Sequence, residues 1–264
     1  MGLFMKGVLY YFSGTGNTKW IADKFRDSFK LYDIDLHLVN IESVEQVNIK
    51  SYVFIIIGSP VYAEVPPKIV DDFLDKLPKT ENRIRTIVYS TQGAKSAAAV
   101  SIMSRKLEQK GYNIVIQSNI RMSNNYYFSV GKLRTENEQE EILESAKEKV
   151  NVLTKYFINN KQMREQSSLF RIFVGKVSGR TFKNRIPKLS RNITSTKECV
   201  KCGLCLRNCP KGNITFENSH AIFHSKCILC LRCIYICPIN AIRYKGKKIE
   251  QIQQERIKSL NLNF

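Results

Sequence analysis

The eight cysteines constrain this chain more than any other feature. They stand as Cys199, Cys202, Cys205 and Cys209 before Pro210, then as Cys227, Cys230, Cys233 and Cys237 before Pro238. The spacing C-x2-C-x2-C-x3-C-P is written twice, and the second copy follows the first by 28 residues. Agreement continues beyond the sulfurs, with Ile214 answering Ile242 and Phe216 answering Tyr244, which marks an internal duplication. Two-residue gaps let a short loop wrap a compact body and present three thiolates to it, the fourth coming from elsewhere, and that suits a cuboidal iron–sulfur cluster. Two other uses compete. Disulfides need an oxidising compartment, and the first residues lack the apolar length and small-residue cleavage site of a secretory signal. Structural zinc takes two CxxC pairs per ion and leaves the third cysteine and the C-P pair without a use. His220 and His224, in and after a predicted hairpin from Phe216 to Phe223, read as surface residues beside so many thiols.

Residues 197–244 resemble the two-cluster 4Fe-4S ferredoxins of the bacterial type. In that type the cysteine before proline ligates the other cluster. The resemblance implies that one cluster takes Cys199, Cys202, Cys205 and Cys237, and the other Cys227, Cys230, Cys233 and Cys209. Crossing the ligands would tie together a segment too short to bury much core of its own.

The N-terminal part follows a different grammar. Residues 6–12 (KGVLYYF) read as a buried strand running into Ser13, Gly14, Thr15, Gly16, Asn17 and Thr18, and then into a helix with Ile21, Phe25 and Phe29 on one face. Strand, glycine turn and helix start make an anion site, because glycines let the backbone approach and the hydroxyls and amides point inward. The loop has no lysine, which argues against a nucleoside-triphosphate loop. Further strands are predicted at 34–40, 52–58, 85–90 and 113–120, with helices at 68–77, about 96–110 and 136–159. Five strands alternating with helices predict a doubly wound parallel sheet. The S/T-G-T-G-N-T loop resembles the FMN-phosphate loop of flavodoxins, and the resemblance covers residues 5–159. It implies the strand order 2-1-3-4-5, with ligand at the carboxyl ends of strands one and three. The first loop would then hold phosphate, while Pro60, Val61, Tyr62, Thr91, Gln92 and Gly93, in loops 59–67 and 90–95, would flank the flavin ring. Tyr62 stacking on that ring and plain packing of Tyr62 stay as alternatives. Asn125 and Tyr126, after the fifth strand, either reach the same pocket or form a plain polar loop, the latter being the expectation, and Trp20 is expected to pack in the core.

Between the two parts, residues 161–191 carry nine Lys or Arg against one acid, Glu165, with Leu169, Phe170, Phe173, Val174 and Val177 at helical spacing. Such a helix packs its apolar side on a domain or lies on a membrane surface, and packing is the expectation. The expected organisation is therefore a flavodoxin-like domain at 1–160, a basic linker at 161–196, a ferredoxin domain at 197–246 and a tail at 247–264 in which Ile249, Ile252, Ile257 and Leu260 suggest a short helix. The whole chain resembles the flavodoxin–ferredoxin fusions of the EFR1 family. That resemblance implies FMN and two 4Fe-4S clusters exchanging low-potential electrons, with reduction of a small substrate by the flavin as the alternative. The candidate pocket offers no histidine or cysteine as an acid–base group. The formal charge of +19 predicts an acidic redox partner of the ferredoxin or flavodoxin type. Nucleic acid is disfavoured, because no recognition motif accompanies the charge. A cytoplasmic location is expected, and the 161–198 segment is long enough for the ferredoxin part to serve a flavin in its own chain or in a head-to-tail dimer.

Overall fold

The computed structural model describes residues 5–93, 97–217, 220–260 and 262. They form two compact units, the first of Met1–Ser13, Asn17–Asn124 and Arg134–Gly179, the second of Gly14–Gly16, Asn125–Leu133 and Arg180–Phe264. Ala94 and the expected helix start at Ser96 lie outside the described residues.

The first unit is a parallel sheet between helices. Its elements run β1 (Lys6–Tyr11), α1 (Asn17–Lys30), β2 (Asp35–Asn40), β3 (Phe54–Pro60), α2 (Lys68–Lys76), β4 (Arg85–Gln92), α3 (Ala99–Glu108), β5 (Asn113–Arg121), α4 (Glu136–Ile158) and β6 (Met163–Arg164). The order is β2-β1-β3-β4-β5-β6, every pairing parallel. This is the doubly wound α/β architecture, with six strands where the hydrophobic pattern indicates five. A two-residue strand has no periodicity to read. β6 is held by side-chain chemistry instead: Gln117 Nε2 donates to the Glu165 carbonyl at 2.8 Å, and the Glu165 carboxylate accepts from Asn119 N at 2.9 Å and pairs with Lys149 at 2.6 Å.

Burial explains the strands and helices together. Phe54, Ile55, Ile56 and Ile57 of central β3 are 0–1% exposed, so a continuous apolar run is what this position requires. On α1, Ile21, Phe25 and Phe29 are fully buried at four-residue spacing, and Trp20 packs against the same core. Phe29 stacks on Phe54 at 5.1 Å, and Phe157 of α4 closes on Phe54 at 4.9 Å. α4 starts where Thr135 and Glu138 cap each other, Glu138 N donating to Thr135 Oγ1 at 3.2 Å and Thr135 N to Glu138 Oε2 at 2.9 Å.

A long helix, α5 (Leu169–Ser190), carries the chain from the first unit into the second. Its two glycines, four residues apart, share one face. A methyl group added at Gly175 would stand 2.6 Å from Ala98 Cβ, and one at Gly179 would stand 2.5 Å from Val65 Cγ2. Ser167 N donates to Ser101 Oγ at 2.9 Å and Arg171 pairs with Glu64 at 2.8 Å, so α5 lies against the loop after β3. The apolar stripe expected to pack inward does not: Leu169, Phe170 and Phe173 are 68, 76 and 65% exposed, and Ile172 is the buried one. The helix is apolar on both faces, and only the glycine face fits the close approach. Gly179→Leu should therefore destabilise the first unit by about 1–3 kcal/mol through overpacking. Chemical denaturation reads this as a lowered midpoint, and an unchanged midpoint would refute the close packing.

The second unit contains β7 (Ile193–Ser195), α6 (Leu204–Arg207), β8 (Ile214–Glu217), β9 (His220–Phe223), α7 (Arg232–Ile236), β10 (Ile242–Tyr244), β11 (Lys247–Lys248) and α8 (Gln254–Lys258). β11-β10-β7 form a three-stranded sheet and β8-β9 a hairpin. The duplication is structural, since α6 matches α7 and β8 matches β10 at the same 28-residue offset. Ile214 and Ile242 are 6% and 2% exposed in equivalent places. Tyr244 bonds to the Tyr126 hydroxyl at 2.6 Å, and Tyr126, Tyr127 and Phe128 pack against this core.

Candidate functional site

The cysteine loops are shaped by left-handed backbone positions that repeat with the duplication. Lys201 and Gly203 have φ of 54° and 77°, and their counterparts Leu229 and Leu231 have 55° and 63°. A left-handed leucine or lysine costs on the order of 1 kcal/mol, so the loops hold strain where their sulfurs are arranged. Backbone amides turn onto those sulfurs: Asn213 N donates to Cys209 Sγ at 3.3 Å, Ala241 N to Cys237 Sγ at 3.2 Å and Leu229 N to Cys227 Sγ at 3.3 Å.

Two cavities result. Cys199, Cys202, Cys205 and Cys237 line one, with Phe216 and Ile242. Cys209, Cys227, Cys230 and Cys233 line the other, with Ile193 and Ile214. Each cavity thus takes three sulfurs from one run and the fourth from the other. The sulfurs surround a volume instead of meeting at a point, and among the described residues no three His, Cys, Asp or Glu side chains are placed as ligands of one ion. Burial pushes the Cys205 thiol up to about 11, with the charges of Cys237, Cys199 and Cys202 adding to it, and pushes Cys230 to about 12. Thiols in such surroundings lose their protons to solvent when a metal cation binds the sulfur, so the donor set fits an iron–sulfur body lined by apolar side chains.

The loop after β1 is nearly closed to solvent. Ser13, Thr15 and Thr18 are 1, 2 and 1% exposed and Asn17 is 8% exposed. In the first unit, Lys19 N donates to Ser13 Oγ at 3.2 Å, Asn17 Nδ2 to the Ser123 carbonyl at 3.0 Å, and Thr18 Oγ1 meets Thr91 Oγ1 at 2.8 Å. Tyr89 OH donates to the Thr18 carbonyl at 2.9 Å. Parallel registry sets Pro60 beside Thr91, and Val61 N donates to the Thr91 carbonyl at 3.1 Å. Ser13, Asn17, Thr18, Pro60, Val61, Tyr62, Thr91, Gln92 and Gly93 therefore come together at the carboxyl ends of β1, β3 and β4. Tyr62 is tied into its own loop by a bridge to Val65, through left-handed Ala63 and Glu64 with φ of 47° and 79°. In the second unit, Gly16 has φ of 99°, a conformation glycine supplies freely. Asn125 Nδ2 donates to Thr15 Oγ1, and Tyr235 OH donates to the Asn125 carbonyl at 2.6 Å. Buried hydroxyls around a glycine turn fit a phosphate. The part played by α5 in shaping the 60–67 loop escaped the sequence reading, although Gly175 and Gly179 on one helix face were its available signal.

Residues 8–184 match the flavodoxin domain family and residues 191–238 the 4Fe-4S dicluster domain. The pyruvate synthase subunit PorD of Methanocaldococcus jannaschii is 35% identical over 68 residues, which cover 24% of this chain and 79% of that protein. The RNA polymerase subunit Rpo3 of Methanosarcina acetivorans is 36% identical over 55 residues, 19% of this chain; the chain spans 21% of that relative's length. Oxidised flavodoxin 2 from Bacillus cereus overlays 59% of this chain and 99% of its own at a TM-score of 0.47 and 23% identity. Fold and matched domains define an iron–sulfur flavin electron-transfer protein. The chain belongs to the flavodoxin domain family and is a flavodoxin–ferredoxin fusion.

Proposed function

We propose that this chain, a fusion of the EFR1 type, converts between two-electron and one-electron transfer, using FMN and two 4Fe-4S clusters. FMN, when bound, takes two electrons and releases them singly, whereas a 4Fe-4S cluster passes one at a time. Cys199, Cys202, Cys205 and Cys237 hold one cluster, and Cys227, Cys230, Cys233 and Cys209 the other. Ser13, Gly14, Thr15, Gly16, Asn17 and Thr18 hold the flavin phosphate, and Pro60, Val61, Tyr62, Thr91, Gln92 and Gly93 flank the ring. The observation that carries the reading is the sorting of eight thiols into two cavities, each completed by a sulfur from the other run. Thiols kept for iron suit a reducing compartment, the cytoplasm. Anaerobically purified protein should contain about eight irons and about one FMN per chain. A preparation with half that iron, or one that neither contains nor takes up flavin, would count against the reading.

The partner we propose is an acidic redox protein. Lys176, Arg180, Lys183, Arg185 and Lys188 are exposed on α5, and α5 contains no acid. Its reduction of an acidic ferredoxin or flavodoxin should slow about tenfold between ~0.02 M and ~0.5 M salt, because salt screens the attraction that steers encounter. Stopped-flow rates check this. A rate indifferent to ionic strength would remove the acidic partner and leave the basic surface for lipid or nucleic acid.

A further inference from the structure

The glycine loop has no cation of its own in sequence, yet a phosphate monoester carries close to two negative charges at neutral pH. Within the second unit, the backbone of Arg256 lies against Gly16: a methyl group added to Gly16 would stand 2.3 Å from the Arg256 carbonyl oxygen and 2.8 Å from its Cβ. Arg256 is 8% exposed, and its Nε is buried without a hydrogen-bond partner. Among the described residues no carboxylate pairs with it, and burial alone pushes its guanidinium down to about 10. A second buried guanidinium in the unit behaves differently. Arg232 is 4% exposed and spends its donors on carbonyls, Nε on Gly14 at 3.1 Å and Nη1 on Asn208 at 2.9 Å.

Burying an arginine without an anion is costly, and native structures resolve that cost by pairing. Side-chain donors gather on the loop residue next to Gly16. Gln253, one turn earlier, is 8% exposed and donates its Nε2 to Asn125 Oδ1, while Asn125 Nδ2 donates to Thr15 Oγ1. That chain of donors uses the acceptor side of the Thr15 hydroxyl and leaves its proton to be given to a ligand.

We infer that Arg256 is the cation of the cradle formed by Gly14, Thr15 and Gly16, and that the ligand it takes is a phosphate monoester dianion. The inference rests on the FMN reading for the source of that phosphate. A charge-assisted donor from the C-terminal helix replaces the lysine that other phosphate loops carry within the loop itself. FMN and riboflavin differ only by the phosphate, so comparing them isolates what Arg256 does.

The test is flavin titration of full-length protein with its clusters in place. Wild type should prefer FMN to riboflavin. Arg256→Gln should weaken FMN about 10- to 100-fold while leaving riboflavin and iron content unchanged. Arg256→Lys should recover part of the preference, and it serves as the measured variant if glutamine at this buried position loses iron. Equal weakening of both flavins, or no change in either, would overturn the inference while leaving the FMN reading intact. The FMN reading fails differently, when wild type binds neither flavin. Phosphorus NMR with inorganic phosphate then decides: line broadening that disappears in the variant supports a phosphate site at Arg256, and broadening that persists, or none in wild type, overturns it.

Discussion

Cys237→Ser should empty the cavity lined by the first cysteine run, and Cys209→Ser the cavity lined by the second. Each variant should retain about half of the wild-type iron. The expectation follows from placement, since Cys237 shares its cavity with Cys199, Cys202 and Cys205, and Cys209 shares its own with Cys227, Cys230 and Cys233. The matching amides, Ala241 N and Asn213 N, sit on these two sulfurs at 3.2 and 3.3 Å, so each loss also strands a donor prepared for a thiolate. A serine alkoxide is a poorer ligand for iron than a thiolate, and three remaining thiolates leave one corner of the cluster open. Iron analysis with paramagnetic spectra of the reduced variants distinguishes the two proposed clusters. The crossed assignment is wrong if each variant loses the cluster of its own run.

The second large effect is expected at the loop that we propose holds the flavin phosphate. Thr15→Val and Thr18→Val should each weaken FMN binding about 10- to 100-fold, with iron content unchanged. Valine nearly matches threonine in shape, and both positions are buried at 2% and 1% exposure, so the change removes a hydroxyl without opening a cavity. Asn125 donates to Thr15, and Thr18 shares a 2.8 Å contact with Thr91 in which either hydroxyl can donate. A phosphate oxygen accepting from each would make a charge-assisted bond, which explains why the loss exceeds that of an ordinary neutral pair. Fluorescence quenching of FMN on binding gives both dissociation constants. Unchanged affinity in both variants would place any flavin away from this loop.

The legible parts were those whose chemistry repeats at a fixed spacing. Eight cysteines in two C-x2-C-x2-C-x3-C-P runs announced iron–sulfur chemistry, because gaps of two and three residues are properties of a local loop. The continuous run at Phe54–Ile57 and the four-residue spacing of Ile21, Phe25 and Phe29 announced a sheet covered by helices, because burial on both faces or on one leaves a pattern in the chain. Other decisions belong to contacts between residues far apart in sequence, which leave no local pattern. β6 is two residues long and is held by Glu165 on Asn119 and Lys149. α5 is apolar on both sides, so periodicity could not tell which face turns inward; the close approach to Val65 at Gly179 chose it. Arg256 stands 240 residues beyond Gly16, and only the packing of α8 sets the Arg256 backbone against the glycine turn. Sequence thus determined what each segment can bind, while tertiary packing decided which distant groups complete it, because a buried charge or a shared cavity is a property of neighbours in space.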